Sequence, residues 1–100
     1  MKIRNKGKRR NGHPGDYIVF DLETTGVNPD KDDIIEISAL KVRDHEVKEE
    51  YSALVNPGRH IPAQATAVNG ITDEMVADAP DIKTVMAQFM EFIGDGVLVG

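Results

Sequence analysis

The apolar segment from Tyr17 to Leu22 constrains the fold of this chain more than any other part of the sequence. Apolar side chains occupy both alternating faces of this segment, with Tyr17 and Val19 on one face and Ile18, Phe20 and Leu22 on the other. A strand with two apolar faces is typical of the centre of a sheet that is covered on both sides. We therefore predict that this segment is the central strand of the fold.

Two acidic residues, Asp21 and Glu23, lie at the end of this segment, and Thr24, Thr25 and Gly26 follow the pair. Strand side chains two positions apart project from the same face with Cα atoms ~6.6 Å apart, which is twice the rise per residue. Two carboxylates this close repel each other, and bound divalent cations are the usual remedy. The pair therefore predicts half of a metal site at the end of the central strand.

The next part of the sequence predicts two further strands. Apolar residues recur from Asp33 to Val42 and again from Val47 to Val55, with turn-forming residues before the first segment and a tight polar turn between the two. Connections this short require antiparallel neighbours, so the first three strands are expected to form a meander. The charges of the third strand indicate that it lies at an edge of the sheet.

The remaining sequence predicts helices and a last strand. Helices are expected from Pro62 to about Asn69 and, capped by Asp81, up to Ile93, with a short turn from Thr72 to about Ala77 between them, so the predicted order of elements is β-β-β-α-α-β. The apolar face of the longer helix comprises Ile82, Val85, Met86, Phe89, Met90 and Ile93, and we expect Met86 and Met90 to be core residues. The final strand, Val97–Val99, is expected to lie parallel to the first strand, on the side away from the second. The fold class is therefore α/β with a mixed sheet.

Composition limits the chain to one domain or part of one. It has 100 residues, of which 40% are hydrophobic. Cysteine is absent, which excludes disulfides, thiolate metal sites and a cysteine nucleophile. No apolar stretch approaches the ~20 residues of a membrane span. We expect no membrane partner and, by default, a cytoplasmic location.

Charge is distributed unevenly along the chain. Six of the 12 Lys and Arg residues lie within the first ten positions, whereas all 17 acidic residues follow them. We therefore divide the chain into a basic flexible leader, residues 1–15, and a domain, residues 16–100. The acidic balance of the domain argues against broad electrostatic adhesion to nucleic acid. A polyanionic substrate would have to be held locally, by metal ions and backbone amides.

The segment Tyr17–Gly26, followed by the isoleucine-rich segment Asp33–Val42, strongly resembles the first exonuclease motif of the DEDD superfamily of 3'-5' exonucleases. The later segment Val68–Met75, together with Ala79-Pro80 and Val97–Gly100, is most similar to the proofreading exonuclease domain of bacterial replicative DNA polymerase III. The resemblance spans residues 16–100. It implies a ribonuclease-H-like fold and phosphodiester hydrolysis at 3' ends with two divalent metal ions, Mg²⁺ or Mn²⁺.

The resemblance also implies roles for individual residues. Asp21 would bridge both metal ions, and Glu23 would bind the ion on the side of the nucleophile. The turn formed by Thr24, Thr25 and Gly26 would hold the terminal nucleotide, with backbone N–H groups near the 3'-hydroxyl and Gly26 allowing close approach. Ile71 would wedge against the terminal bases. Glu36, on the neighbouring strand, would be a hydrogen-bonding or salt-bridge partner and not a metal ligand.

The family pattern continues beyond the motifs that this sequence contains. It requires an Asp in a second motif and a His with another Asp in a third, and Gly100 falls inside the second motif. The three histidines, His13, His45 and His60, do not match the catalytic position. We therefore expect that the general base is absent, that the sequence covers the N-terminal half of such a domain, and that the 100-residue chain is inactive alone.

Two other functions are compatible with the sequence. An aspartate-nucleophile phosphatase would also place an Asp, an acid and a Thr after an apolar strand, although this chemistry usually belongs to a β-α-β unit. A noncatalytic or decayed module would bind nucleic acid or a polymerase weakly. For the enzyme, the expected partners are a single-stranded or frayed 3' end of DNA, with RNA as the alternative, and a DNA polymerase subunit or domain.

Overall fold

The computed structural model describes residues 16–28 and 30–100, so the leader predicted over residues 1–15 lies outside the described residues. In chain order the elements are β1 (Tyr17–Thr24), β2 (Ile34–Arg43), β3 (Glu46–Leu54), α1 (Ala63–Asn69), α2 (Asp73–Val76), α3 (Ile82–Ile93) and β4 (Leu98–Val99). The predicted order β-β-β-α-α-β is confirmed, except that the segment predicted as a short turn from Thr72 to about Ala77 contains the additional short helix α2. None of the helices in residues 16–28 and 30–100 combines the length and the apolar character needed to cross a bilayer.

The strands form a single mixed sheet in the order β3-β2-β1-β4. β1 pairs antiparallel with β2, β2 pairs antiparallel with β3, and β4 pairs parallel with β1. The predicted meander, the edge position of β3 and the place of the last strand are therefore confirmed. The β2–β3 turn has positive φ angles at Asp44 (51°) and His45 (68°). Positive φ at both central residues gives a hairpin turn whose twist matches that of the flanking strands.

The main hydrophobic core lies between α3 and one face of the sheet. Ile37 on β2 and Val85 on α3 are fully buried. The ring centroid of Phe89 on α3 lies 6.1 Å from that of Phe20 on β1, and the two rings are tilted by 51°. Tilted aromatic pairs at this separation add to the stabilisation that burial provides. The helix therefore fixes the central strand from one side.

The buried stripe of α3 is narrower than its sequence pattern predicts. Val85, Phe89 and Ile93 are buried, but Ile82 and Met90 are 39% and 56% exposed. The prediction that Met90 is a core residue is therefore wrong, whereas Met86 is partly buried and packs against the core. A single sheet face contacts only the side of the helix turned toward it, and residues at the margins of a wide apolar stripe are left at the surface.

The opposite face of β1 is not covered by any element in the described part of the chain. Ile18 and Phe20 are 3% and 6% exposed, whereas Val19 is 38% exposed and Asp21 is exposed as well. The prediction that β1 is covered on both sides is therefore wrong for the described residues, because α3 packs only on the face of Ile18 and Phe20. An open groove on the uncovered face is lined in part by Val19, Asp21 and Ser38.

A second hydrophobic cluster attaches α1 and α2 to the end of the sheet. Its buried members are Ile35, Ile61, Ala65, Ile71 and Val76. Because Ile35 belongs to β2, this cluster holds the loop between α1 and α2 close to the end of β1 at which the acidic residues lie. The fold thereby brings two distant segments of the chain to one end of the sheet.

The N-terminus of α3 predicts a pH-dependent contribution to stability. The Asp81 carboxylate accepts a hydrogen bond of 2.9 Å from the backbone N–H of Thr84. This bond lowers the pKa of Asp81 below its ordinary value. A carboxyl group with a lowered pKa in the folded state stabilises the fold above its unfolded pKa, and that contribution is lost as the pH falls through the folded pKa.

We therefore expect Asp81→Ala to lower the melting temperature at neutral pH, and we expect this effect to diminish as the pH falls through the folded-state pKa of Asp81. Thermal unfolding of both proteins over a series of acidic pH values measures the difference. Asp81→Asn is the matched control, because its amide oxygen still caps the helix but does not titrate. A melting-temperature difference that persists unchanged in acid would contradict this origin of the stabilisation.

Candidate active site

The predicted metal-binding pair lies at the end of the central strand, on the uncovered face of the sheet. In the β1–β2 register Asp21 is opposite Ser38 and Glu23 is opposite Glu36. Asp21 is exposed, whereas Glu23 and Glu36 are half-buried. The strand therefore presents Asp21 and Glu23 on one face, as the alternation of the sequence requires.

The carboxylates at this strand end have no basic counter-charge in the described part of the chain. The ion pairs that the described residues form are elsewhere, and none includes Asp21, Glu23 or Glu36. Like charges directly opposite each other on neighbouring strands are destabilising. Within residues 16–28 and 30–100, the strand end is therefore a site of uncompensated negative charge, an environment that favours cations.

Asp21 and Glu23 could supply only part of the ligand set of a metal ion. Among residues 16–28 and 30–100, no group of three or more His, Cys, Asp or Glu side chains is arranged to hold a metal ion. Carboxylate oxygens are nevertheless the hard donors that Mg²⁺ and Mn²⁺ prefer. The chemistry of Asp21 and Glu23 fits such an ion, and further ligands would have to be supplied by other groups.

Thr25 fixes the turn that follows β1. Its side chain is buried, and the hydroxyl group donates to Asp32 Oδ1 (3.1 Å) and accepts from the backbone N–H of Asp33 (2.9 Å). The backbone N–H of Thr25 donates in turn to the Asp33 carbonyl (2.9 Å). The Thr25 side chain is therefore engaged within the protein, and contacts from this turn to a ligand would come from backbone groups.

Gly26 gives space to a neighbouring carboxylate. A Cβ atom at Gly26 would lie 2.5 Å from Oδ2 of Asp32. That oxygen accepts a hydrogen bond from the backbone N–H of Asn28 (2.8 Å), and the Thr24 hydroxyl donates to the Gly26 carbonyl (2.5 Å). The close approach that requires glycine here is thus made by Asp32.

Asp32 was not recognised as a site residue from the sequence. Its carboxylate joins Thr25 to Asn28 and closes the loop after β1 into a compact turn. The available signal was the preference of Asp for side-chain-to-backbone bonds in turns. This signal marks Asp32 as a turn residue, but it does not identify which groups the carboxylate contacts.

Ile71 is placed close to this end of the sheet but not at its surface. Its side chain is 3% exposed and packs in the second hydrophobic cluster with Ile35, Ile61, Ala65 and Val76. A base could contact this side chain only after the side chain had left the cluster. The structure therefore gives Ile71 a packing role in the loop between α1 and α2.

A family model and sequence relatives match this chain. The RNase T exonuclease model matches residues 18–100. The chain is 46% identical over 83 residues to the DNA polymerase III PolC-type protein of Bacillus subtilis, covering 83% of this chain and 6% of that protein. It is 38% identical over 86 residues to the DNA polymerase III epsilon subunit of Aquifex aeolicus, covering 86% of this chain and 43% of that protein. The chain thus spans less than half of either relative.

The fold of this chain is also similar to solved structures of exonucleases. Exonuclease X, solved in complex with 5' overhanging duplex DNA, is 37% identical with a TM-score of 0.65, over 73% of this chain and 42% of that one. The nuclease domain of 3'hExo, a DEDDh family member, is 20% identical with a TM-score of 0.71, over 83% and 46% of the two chains, and shows the shared fold alone. The predicted ribonuclease-H-like fold and the predicted family are confirmed: the chain belongs to the exonuclease family.

Proposed function

We propose that this chain supplies Asp21 and Glu23 to the active site of a metal-dependent 3'-5' exonuclease that acts on DNA. The observation that carries the proposal is the position of these two carboxylates, which share the uncovered face at the end of β1 within the segment matched by the exonuclease family. No basic residue among those described neutralises them. Such a pair is suited to hold divalent cations next to a phosphodiester.

The proposed cofactors are two divalent ions, Mg²⁺ or Mn²⁺. Asp21 would be shared by both ions, and Glu23 would hold the one on the side of the attacking water. The chemistry that such a pair of ions supplies in phosphodiesterases is activation of a water molecule and stabilisation of the leaving oxygen. The chain's own contribution is to hold the two carboxylates on one strand face, where the rigid pairing of β1 with β2 fixes their spacing.

The proposed substrate is the 3' end of a DNA strand, held locally. Residues 16–100 contain all 17 acidic residues and only six of the 12 basic ones, so the domain lacks the general positive charge that attracts nucleic acid from a distance. Local contacts remain, from metal ions and from the backbone of the Thr24–Gly26 turn. Exonuclease X binds 5' overhanging duplex DNA, in which one strand has a recessed 3' end, and this supports DNA as the substrate.

The proposed partner is a DNA polymerase, and the proposed task is proofreading or repair of newly made 3' ends. Support comes from two relatives, which are a polymerase III of the PolC type and an epsilon subunit of polymerase III. The phosphatase alternative loses its basis, because β1 is followed by the antiparallel strand β2 and not by the helix of a β-α-β unit. A noncatalytic module is the remaining alternative.

Turnover distinguishes the enzyme from the noncatalytic module. We define the epsilon chimera as the Aquifex aeolicus epsilon subunit in which the 86-residue segment matched by this chain is replaced by this chain's own residues. The expected result is release of single nucleotides from a 3'-labelled DNA strand in Mg²⁺ and none in EDTA, with no release from a strand blocked at its 3' end. A folded chimera without turnover would favour the noncatalytic module. The 100-residue chain alone is expected to be inactive.

A further inference from the structure

Asn69, the last residue of α1, joins two segments of the candidate site that are far apart in the sequence. Its side-chain Nδ2 donates a hydrogen bond to the backbone carbonyl of Thr24 at the end of β1 (3.2 Å). Its Oδ1 accepts a hydrogen bond from the backbone N–H of Ile71 (2.9 Å). The single amide group therefore connects the turn after the acidic strand to the loop between α1 and α2.

The two hydrogen bonds of the Asn69 side chain form a link between Thr24 and Ile71, and the Ile71 end of this link is firmly anchored. The Ile71 side chain is buried in the second hydrophobic cluster, and its carbonyl accepts a hydrogen bond from the Thr66 hydroxyl (2.6 Å). Gly70 has a φ angle of 77°, and this left-handed residue turns the chain so that the N–H of Ile71 reaches the Asn69 side chain. The position of the Asn69 amide is thus set by the core and not by solvent.

The other side of the link controls a peptide group next to Glu23. The register between β1 and β2 shifts between Glu23 and Thr24, so regular pairing is interrupted there. The carbonyl of the Thr24–Thr25 peptide is held by Asn69, and the N–H of the same peptide donates to the carbonyl of Asp33 (2.9 Å). Both polar ends of this peptide are fixed, and its plane is fixed with them.

We propose that Asn69 is a positioning residue for the exonuclease reaction, an inference that rests on the function proposed above. By holding the Thr24–Thr25 peptide, Asn69 sets the direction in which the backbone of the Thr24–Gly26 turn faces a 3'-terminal nucleotide. It does so from the buried α1–α2 loop, without contacting the metal-binding carboxylates. Loss of the link weakens nucleotide binding and leaves metal binding at Asp21 and Glu23 intact.

Two substitutions separate the two halves of the link. Asn69→Asp has the same shape and keeps an acceptor for the N–H of Ile71, but it has no donor for the Thr24 carbonyl. Asn69→Ala removes both bonds and adds no charge. Asn56 offers a matched control in another loop, because its Nδ2 donates to the Ala77 carbonyl (3.3 Å) and its Oδ1 accepts from the N–H of Gly58 (2.8 Å).

The first measurement is amide hydrogen exchange of the 100-residue chain. Asn69→Asp is expected to accelerate exchange at the Thr25 N–H by roughly fivefold, the factor that corresponds to one hydrogen bond of ordinary strength. Exchange at the Ile71 N–H is expected to stay within about twofold of the parent, since its acceptor is retained. Asn56→Asp is expected to leave both amides unchanged. Unchanged exchange at Thr25 in Asn69→Asp would overturn the link.

The second measurement separates metal binding from nucleotide binding in the same chain. In one titration, Mn²⁺ is added to the isotope-labelled protein, and the broadening of the Asp21 and Glu23 amide NMR signals is followed. In a second titration, deoxythymidine monophosphate is added in the presence of Mg²⁺. Asn69→Ala is expected to leave the Mn²⁺ response unchanged and to weaken the nucleotide response of the Thr25 and Gly26 amides by about fivefold or more, whereas Asn56→Ala changes neither.

The outcomes distinguish this inference from the function on which it rests. Equal nucleotide responses in Asn69→Ala and the parent would overturn the positioning role even with Mn²⁺ bound. Absence of any Mn²⁺ response in the parent would count against the metal site itself, and the exchange measurement at Thr25 would still decide whether Asn69 holds the turn. If Asn69→Ala loses the Mn²⁺ response, the nucleotide response and the signal dispersion of a folded protein, Asn69 has a purely structural role and the positioning role is overturned.

Discussion

Asp21→Asn combined with Glu23→Gln is expected to reduce exonuclease turnover of the epsilon chimera by about 10³-fold or more. Metal ions in such sites contribute several kcal/mol of transition-state stabilisation, and each ~1.4 kcal/mol corresponds to a factor of ten in rate. The substitutions keep the size of both side chains and remove only the negative charges that hold the cations. Release of 3'-terminal nucleotides in Mg²⁺ measures the effect.

The same pair of substitutions is expected to raise, and not to lower, the melting temperature of the metal-free 100-residue chain. Glu23 lies directly opposite Glu36, and no basic residue of the described part pairs with either of them. Removing two of three clustered charges relieves repulsion across the strands. Loss of turnover together with higher stability cannot result from unfolding, so the two measurements isolate the role in catalysis.

Glu50→Gln is the matched control for charge. Glu50 pairs with Leu40, which pairs with Val19, so its side chain lies on the same face of the sheet as Asp21 but two strands away and not at the strand end. This substitution is expected to leave turnover within about twofold. Turnover of the double variant close to that of the unsubstituted chimera would remove the basis of the proposed metal site.

The features that could be predicted from the sequence are those with a local period. The alternation of side chains along Tyr17–Thr24 predicted that β1 is a strand and that Asp21 and Glu23 share a face. This prediction is possible because side chains two positions apart in a strand always point to the same face. The three-to-four residue period likewise located Val85, Phe89 and Ile93 on the buried side of α3. Periodicity does not predict how much of the apolar face of α3 the sheet covers, and Met90, at the margin of that face, is 56% exposed.

The contacts that sequence reasoning missed join residues with no regular spacing. Asp32 bonds to Thr25 across seven positions, and Asn69 bonds to Thr24 across 45 positions. In the sequence the first is an ordinary turn residue and the second an ordinary helix end. The partner of Asp32 depends on how the loop after β1 folds, and the partner of Asn69 depends on the packing that brings the end of α1 to the end of β1. Ile71 illustrates the same limit, because its burial depends on Ile35 of a distant strand.

Gly26→Ala is expected to destabilise the 100-residue chain by about 2 kcal/mol and to reduce turnover of the chimera. The added Cβ atom would lie 2.5 Å from Oδ2 and 2.7 Å from Cγ of Asp32, so the carboxylate has to move. Asp32 is held by the Thr25 hydroxyl and by the N–H of Asn28, and moving it breaks both bonds. The turn beside Glu23 then loses the contacts that close it. Denaturant unfolding measures the stability.

A double-mutant cycle tests whether the contact with Asp32 causes the destabilisation by Gly26→Ala. Asp32→Ala alone removes two hydrogen bonds and is expected to cost about 1 to 2 kcal/mol. In the Asp32→Ala background the Cβ atom that Gly26→Ala adds has space, so the double variant is expected to be more stable than the sum of the two single effects predicts, by about 1 kcal/mol or more. Additive effects would mean that Gly26 is required for another reason, such as direct approach of the nucleotide. In that case turnover would fall in Gly26→Ala while stability stayed close to that of the parent, which separates a steric requirement within the protein from one imposed by the substrate.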